Sequence, residues 1–91
     1  MPGVKLPRSV FTGDYKTFLR LLIQARKDSG LRQHELAAIL EVDQGTISKI
    51  ERGVRRLDVV EFVGISEALG ADPLDFLARY LNARANEKPS P

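Results

Sequence analysis

The chain has 91 residues, of which 43% are hydrophobic and 29% are charged, and its formal net charge is +2. This length indicates one domain with a single small core. The absence of cysteine and the single histidine exclude disulfides and thiolate metal sites and argue against a histidine-rich metal site. No apolar run approaches the roughly 20 residues of a membrane span, and the N-terminus lacks the apolar centre of a signal peptide. We therefore expect a cytoplasmic protein.

Charge is distributed unevenly along the chain. Residues 1–56 carry a formal charge of +5, and residues 57–91 carry −3. Such a charge distribution suits a protein that binds phosphates with one face. Chance alone can produce the same asymmetry in so short a chain, so the asymmetry does not assign a partner by itself.

Residues 1–13 predict an extended, basic N-terminal arm. Pro2 and Pro7 oppose helix formation, and Lys5 and Arg8 supply positive charge. An arm of this kind can contact DNA, although a basic terminus is more often a solvated tail. Whether the arm contacts DNA therefore stays open.

The folded domain is expected over residues 14–82, beginning with a first helix from about residue 14 to residue 29. Thr12 or Asp14 can cap this helix and Gly30 can end it. Its inward stripe consists of Tyr15, Phe18, Leu19, Leu22, Ala25 and Arg26. An arginine on that stripe needs a partner if it is buried.

Residues 33–53, QHELAAILEVDQGTISKIERG, predict two short helices joined by a tight turn. Apolar residues recur at helical spacing in both, as Leu36, Ala37 and Leu40 in one and Ile47 and Ile50 in the other. Asp43 lies where its carboxylate can accept the free N–H groups of the second helix. Gly53 lies where that helix should end, because glycine adopts the left-handed conformation at little cost.

The outward face of the second of these helices combines an amide, a hydroxyl and two cations with no carboxylate. It consists of Gln44, Gly45, Ser48, Lys49 and Arg52. Glutamine can pair two ways with adenine, and lysine can donate to guanine O6 and N7. A helix of this kind can lie in a DNA major groove, but an ordinary solvated helix face has the same composition. The helical wheel alone does not separate the two interpretations.

Two more helices are predicted after a loop that carries Arg55 and Arg56. Asp58, followed three residues later by Glu61, predicts a capped fourth helix. That helix should end at Gly70.

Asp72-Pro73 predicts the start of a fifth helix, which carries two apolar stripes. One consists of Leu74, Leu77, Ala78 and Leu81, and the other of Pro73, Phe76 and Tyr80. One stripe can close the core, and we expect Phe76 and Tyr80 on the other to form a dimer interface. Residues 83–91 turn polar and contain proline, so we expect a disordered C-terminal tail.

The stretch over residues 33–53 resembles the helix-turn-helix of the Cro and phage-repressor-like family, also called the XRE family. The matching residues are Gln33, Glu35, Leu36, Ala37, Leu40, Val42, Gln44, Thr46, Ile47, Ser48, Ile50, Glu51 and Gly53. Arg26 and Gly30-Leu31 fit the end of the first helix of that family, and Ala68-Leu69-Gly70 fits the end of the fourth. The resemblance extends over roughly residues 15–81.

Three positions depart from the family pattern. Arg32 replaces the usual Thr or Ser cap of the second helix, which leaves Glu35 as half of a capping box. Glu41 replaces the usual turn glycine and is strained by about 1 kcal/mol if its φ is positive. Gly45 inside the recognition helix costs about 1 kcal/mol relative to alanine.

The resemblance implies an all-α, five-helix, lambda-repressor-like domain in which helices 2 and 3 form the helix-turn-helix. It offers Glu51 as the partner of Arg26, and we expect this ion pair to brace the first helix against the third. It also implies a homodimer on a two-fold symmetric double-stranded DNA operator, with half-sites about 10 bp apart.

The predicted base contacts are the five residues of the outward face, led by Gln44 and Lys49. The predicted phosphate contacts are Arg32, Gln33, Arg55 and Arg56.

The leading hypothesis is a sequence-specific DNA-binding transcriptional regulator, as a dimeric repressor of a small operon or mobile element. The alternative is an antitoxin or another partner-binding module that sequesters a protein. An enzyme is not expected, because the carboxylates are scattered mostly as helix caps and His34 has no nucleophile or metal partner evident in the sequence. We expect neither a cofactor nor a metal site.

Overall fold

The computed structural model describes residues 13–87. Over this range the chain forms five α-helices and no strand: α1 (Gly13–Asp28), α2 (Gln33–Leu40), α3 (Gln44–Glu51), α4 (Val59–Ala68) and α5 (Pro73–Glu87). The predicted all-α, five-helix domain with α2 and α3 as the helix-turn-helix is confirmed. Helix α1 begins at the last residue assigned to the arm, so the rest of the arm lies outside the described residues.

All five helices contribute to one hydrophobic core. Its buried members are Leu22, Leu36, Ala37, Ile47, Ile50, Phe62, Ile65 and Phe76. Helices α2 and α3 supply four of these side chains from only eight residues each. Because short helices are marginal alone, burial of these side chains fixes α3 on the body of the domain.

Aspartates cap the starts of α3, α4 and α5. The Asp43 carboxylate accepts hydrogen bonds from the backbone N–H of Thr46 at 2.7 Å and from its hydroxyl at 3.0 Å. Asp58 and Glu61 accept each other's backbone N–H groups, at 2.8 and 3.1 Å. The local sequence signals for these starts were therefore sufficient.

Four helices end in the same backbone arrangement, which requires a residue with positive φ. Gly30, Gly53 and Gly70 occupy this position after α1, α3 and α4. After α2 the residue is Glu41, with φ 58° and ψ 41°. The N–H of the next residue, Val42, donates to Ala37 O at 3.0 Å, as in a Schellman motif. The turn therefore adopts the glycine-type geometry around a glutamate.

The aromatic side chains of α1, α4 and α5 pack against one another. The ring centroids of Phe18, Phe62 and Phe76 lie 5.2–5.4 Å apart, and Tyr80 meets Phe18 edge-on at 5.7 Å. These are favourable tilted and edge-to-face geometries. The aromatic stripe of α5 is thus the one that closes the core.

This packing corrects the predicted dimer interface. Phe76 is 6% exposed, whereas Leu74 and Leu81 are 76% and 52% exposed. Tyr80 is half-buried against Phe18. The aromatic stripe faces inward because α1 and α4 present rings to it, and burying large rings removes more apolar area from water than burying leucines. The unpartnered stripe of α5 is therefore the leucine stripe.

Helix α5 also continues to Glu87, beyond the boundary expected at residue 82. The added stretch contains Ala83, Arg84 and Ala85, which favour helix. The Arg84 guanidinium lies over the Tyr80 ring, 5.9 Å from its centroid. The prediction of a disordered tail is corrected for residues 83–87, and residues 88–91 lie outside the described range.

Candidate nucleic-acid interface

Helix α3 has a buried face and an exposed face. Ile47, Ile50 and Glu51 are buried. Of the outward residues, Gln44, Gly45, Lys49 and Arg52 are exposed and Ser48 is half-buried. The side chains predicted to read bases therefore share one solvent-facing surface of α3, which we call the reading face.

The Asp43 cap supports the start of the reading face. Hydrogen bonds from the backbone and the hydroxyl of Thr46 lower the pKa of the Asp43 carboxyl, and the positive charge of Lys49 adds a smaller effect. The carboxylate is therefore ionised at neutral pH. A Cβ added at Gly45 would lie 3.3 Å from Asp43 Oδ1, so the glycine leaves space beside this cap.

Arg26 and Glu51 form a buried, two-bond ion pair between α1 and α3. Arg26 Nε donates to Glu51 Oε2 at 2.7 Å, and Nη2 donates to Oε1 at 3.1 Å. The side chains are only 11% and 6% exposed. Arg26 Nη1 also donates to Leu31 O at 2.9 Å. The pair expected from the sequence is thus in contact, and it ties α3 to both α1 and the α1–α2 loop.

A hydrogen-bonded chain leads from this pair to the reading face. Gln33 Nε2 donates to Glu51 Oε1 at 2.9 Å. Gln44 Nε2 in turn donates to Gln33 Oε1 at 3.5 Å. Sequence reasoning missed this chain, because it joins residues 18 and 11 positions apart on different helices. The Gln33 amide is therefore oriented by the buried ion pair, and the Gln44 amide lies beside it at the surface.

The two loop arginines differ in their surroundings. Arg55 donates to both carboxylate oxygens of Glu61, at 3.2 and 2.6 Å, and to Arg56 O at 3.2 Å. Hydrogen bonding to Glu61 raises the pKa of Arg55, and hydrogen bonding from Arg55 lowers the pKa of Glu61. Arg56 is exposed. Both arginines were predicted to contact phosphate, and that stays a prediction; the structure adds that the charge of Arg55 is balanced by Glu61.

The other predicted polar contacts lie at helix ends. Arg32 is exposed at the start of α2, where its backbone N–H donates to Glu35 Oε1 at 2.8 Å. Arg52 at the end of α3 donates from Nε to Ser48 Oγ at 3.2 Å. This bond links the Arg52 side chain to Ser48, four residues earlier in the chain.

Nothing in the described residues builds a metal or membrane site. No cluster of three or more His, Cys, Asp or Glu residues within 13–87 is arranged to hold a metal ion. Over the same part of the chain, no helix has the length and apolar character needed to cross a membrane. His34 is exposed on the first turn of α2.

Comparisons with known proteins indicate a helix-turn-helix family. A family model described as Helix-turn-helix matches residues 22–76. An XRE-family like protein from Pseudomonas syringae pv. tomato is 40% identical, over 77% of this chain and 85% of that chain, with a TM-score of 0.74. The clp gene regulator ClgR from Corynebacterium glutamicum is 26% identical, over 89% of this chain and 81% of its own, with a TM-score of 0.71. No curated protein matches the chain.

Proposed function

The chain belongs to the XRE-like helix-turn-helix family, and from this premise we propose that it is a sequence-specific DNA-binding transcriptional regulator. The observation that carries the proposal is the reading face. It exposes an amide and two cations without a carboxylate, on a helix anchored from behind by a buried ion pair. An anchored helix that exposes hydrogen-bonding and cationic side chains suits insertion into the major groove of DNA.

Base recognition is assigned to the reading face, with Gln44 and Lys49 as the main readers. Gln44 is at the N-terminal end of α3, the end at which recognition helices contact base edges. Its amide lies 3.5 Å from the amide of Gln33 at the surface, and a glutamine amide can pair two ways with adenine. Gly45, Ser48 and Arg52 complete the proposed contact set.

Phosphate contacts are assigned chiefly to Arg32, Gln33 and Arg56. Gln33 begins α2, so its amide and the N–H groups of that helix end can meet one phosphate. Arg56 and Arg32 are exposed cations. Arg55 stabilises the loop through its ion pair with Glu61, so we expect it to neutralise less phosphate charge than Arg56.

The protein is further proposed to act as a homodimer. One eight-residue recognition helix reads too few bases for selective binding, and two-fold pairing doubles the site. The proposed interface is the leucine stripe of α5, because Leu74, Leu77 and Leu81 are exposed while Phe76 is buried. A second copy of the chain fits this stripe, since in an isologous dimer the same apolar surface of each subunit packs against the other.

Repression of a small operon or mobile element is the favoured outcome of binding. A dimer on a promoter excludes other proteins from the same DNA without any further contact. The proposed place of action is the cytoplasm. The second candidate function is a partner-binding module, such as an antitoxin, which the same exposed leucines favour.

Selection of bound sequences from a random DNA pool tests the proposal. We expect enrichment of a two-fold symmetric motif with half-sites about 10 bp apart. Titration of the enriched and scrambled sequences should then give a difference in affinity of at least about 10³-fold. Enrichment of no motif, together with a stable complex between the α5 stripe and a different protein, would favour the partner-binding module instead.

A further inference from the structure

A partly enclosed pocket of about 170 Å³ lies between α3 and α4. Ile47 and Ile50 of α3 and Ile65 of α4 line it, and these side chains are only 2–4% exposed. Leu40, at the end of α2, and Val42, in the turn that follows, add to its apolar wall. Because the two α3 isoleucines belong to the buried face of that helix, the pocket is separate from the reading face.

The space in this pocket does not reflect a generally loose core. The void at the centre of the core, beside Leu22, Leu36 and Leu69, has a volume of about 10 Å³, which is about the minimum that a single water molecule needs. The pocket between α3 and α4 is larger than the cavity of about 150 Å³ that binds benzene in an engineered protein core lined by similar side chains. It can therefore hold one aromatic ring.

Gly64 keeps this space open. It is in the interior of α4 and lines the pocket, although glycine in a helix interior is less stable than alanine. No atom of the described residues outside its own helical surroundings lies within 4 Å of a Cβ built at this position, and its φ is not positive. Neither close packing nor backbone conformation therefore requires the glycine. A ligand that needs the space accounts for it.

The pocket also has a polar lining, the ion pair of Arg55 and Glu61. A carboxylate offers about four acceptor sites, and among the described residues Glu61 fills three, with two N–H groups of Arg55 and the backbone N–H of Asp58. Arg55 has five N–H donors and within the same range donates three bonds, two to Glu61 and one to Arg56 O. A hydroxyl group, which both donates and accepts, matches this lining. A carboxylate ligand would instead meet the negative charge of Glu61.

We infer that the pocket binds a small phenol, with its ring among the isoleucines and its hydroxyl at the Arg55–Glu61 pair. A phenolic hydroxyl is uncharged at neutral pH, so the ligand enters the apolar wall without the cost of burying a charge. The ring contacts the buried face of α3 and leaves the reading face open. This inference goes beyond the proposed regulator and does not depend on DNA binding.

Titration with phenol, followed by NMR of the isoleucine δ1-methyl groups, tests the site. We expect saturable shifts at Ile47, Ile50 and Ile65, with a dissociation constant on the order of 1 mM, which is typical of a ligand this small. Ile23 lines a groove beside α1 instead and should not shift, so it serves as an internal control. Toluene, which matches phenol in size but lacks the hydroxyl, is titrated in parallel.

Three variants locate the ligand, and circular dichroism checks the fold of each. Gly64→Leu places a side chain in the pocket and should abolish the shifts. Gly13→Leu is its matched control on α1, because a Cβ added at Gly13 also meets no described atom within 4 Å, and this variant should bind phenol as the wild type does. Glu61→Gln weakens the acceptor for the hydroxyl, so it should lower the affinity for phenol and leave that for toluene unchanged.

Phenol shifts that persist in a folded Gly64→Leu variant would overturn the inference, as would the absence of saturable shifts or equal shifts at Ile23. If Gly64→Leu does not fold, Gly64→Ala provides the same comparison with a smaller side chain and should weaken binding in part. Equal effects of Glu61→Gln on phenol and toluene would reject the phenol in favour of a purely apolar ligand. Failure of the operator selection would reject the regulator and leave this titration valid.

Discussion

The carboxylate of Glu51 receives three hydrogen bonds, two from Arg26 and one from Gln33. Glu51→Gln removes the negative charge and leaves the Arg26 guanidinium buried without a counterion. We expect the free energy of unfolding to fall by about 3–5 kcal/mol, out of about 5–15 kcal/mol for a domain of this size. Chemical denaturation measures the change.

The matched control for this prediction is Glu61→Gln. Its partner Arg55 is 41% exposed and Glu61 itself is 35% exposed, and a partly exposed pair contributes about 0–1 kcal/mol. Equal losses in the two variants would mean that burial does not distinguish these ion pairs.

Glu41 is the one non-glycine residue with positive φ among the described residues. Glu41→Gly removes the steric strain of the left-handed conformation, and we expect a gain of about 1 kcal/mol. The melting temperature should rise by about 4–8 °C. Ala38→Gly, on the same helix at an exposed helical position, should lower stability by about 1 kcal/mol. A lower melting temperature for Glu41→Gly would show that the Glu41 side chain stabilises the fold by more than the strain of its positive φ costs.

Asp43 gives the start of α3 a defined pH dependence. Its pKa is lowered in the folded protein by the hydrogen bonds from Thr46. The contribution of the ionised cap is therefore complete at neutral pH, and it is lost as the pH falls below about 4, through the folded pKa. Asp43→Asn keeps a capping oxygen but does not titrate. In denaturation series from pH 7 to 2, the wild type should lose stability relative to this variant only at the acidic end.

At the scale of the element, local signals predicted most of the architecture. Aspartate caps and terminal glycines marked the helix boundaries because their hydrogen bonds join residues a few positions apart. The reading face followed from periodicity and polarity. The Gln33–Gln44 contact and the Arg55–Glu61 contact were not predicted, because helix packing and loop geometry decide them and no spacing rule encodes either one.

Helix α5 shows the other limit of sequence reasoning. A wheel identifies two adjacent apolar stripes but does not say which one faces inward. The rings of Phe18 and Phe62 decide this, and they come from elements far away in the sequence. The extension to Glu87 was missed because polar composition was interpreted as disorder, although alanine and arginine favour helix in polar surroundings as well.

Base recognition should depend on α3, and contact with the DNA backbone should depend on the loop that follows α3. Gln44→Ala should reduce discrimination between operator and scrambled DNA by about 1–3 kcal/mol. Non-specific affinity should stay nearly constant, because no charge is removed. Arg56→Ala should weaken binding to all sequences and reduce the salt slope by about 0.9. Titrations on both DNAs at several salt concentrations give both quantities, and the reverse pattern would mean that the reading face is misassigned.

Arg55→Ala serves as the control for Arg56→Ala. Because Glu61 already balances the charge of Arg55, its loss should change the salt slope less than the loss of Arg56. A larger change in slope for Arg55→Ala would mean that the ion pair opens when DNA binds.

For the molecule as a whole, the leucine stripe of α5 should affect dimerisation, and the aromatic stripe should affect unfolding. Leu74→Ser with Leu81→Ser removes exposed leucines, so the monomer should stay folded while sedimentation equilibrium shifts toward the monomer. Phe76→Ala opens a cavity beside the rings of Phe18 and Phe62 and should lower the free energy of unfolding by about 3–5 kcal/mol. A leucine variant that remains fully dimeric would place the two-fold contact on another surface.

The two-sided construction of α3 has a consequence for how such a regulator changes its target. The residues proposed to contact DNA are not the buried residues that hold α3 on the core, so we expect mutations on the outer surface to change the target without threatening the folding of the protein. Duplicated copies of the gene are therefore free to diverge in target while inheriting one scaffold. Position 44 differs from the others, because its side chain hydrogen-bonds to Gln33 on α2 at 3.5 Å. Evolutionary drift at position 44 should be accompanied by compensating change at position 33, and libraries built to retarget the protein should randomise both positions together.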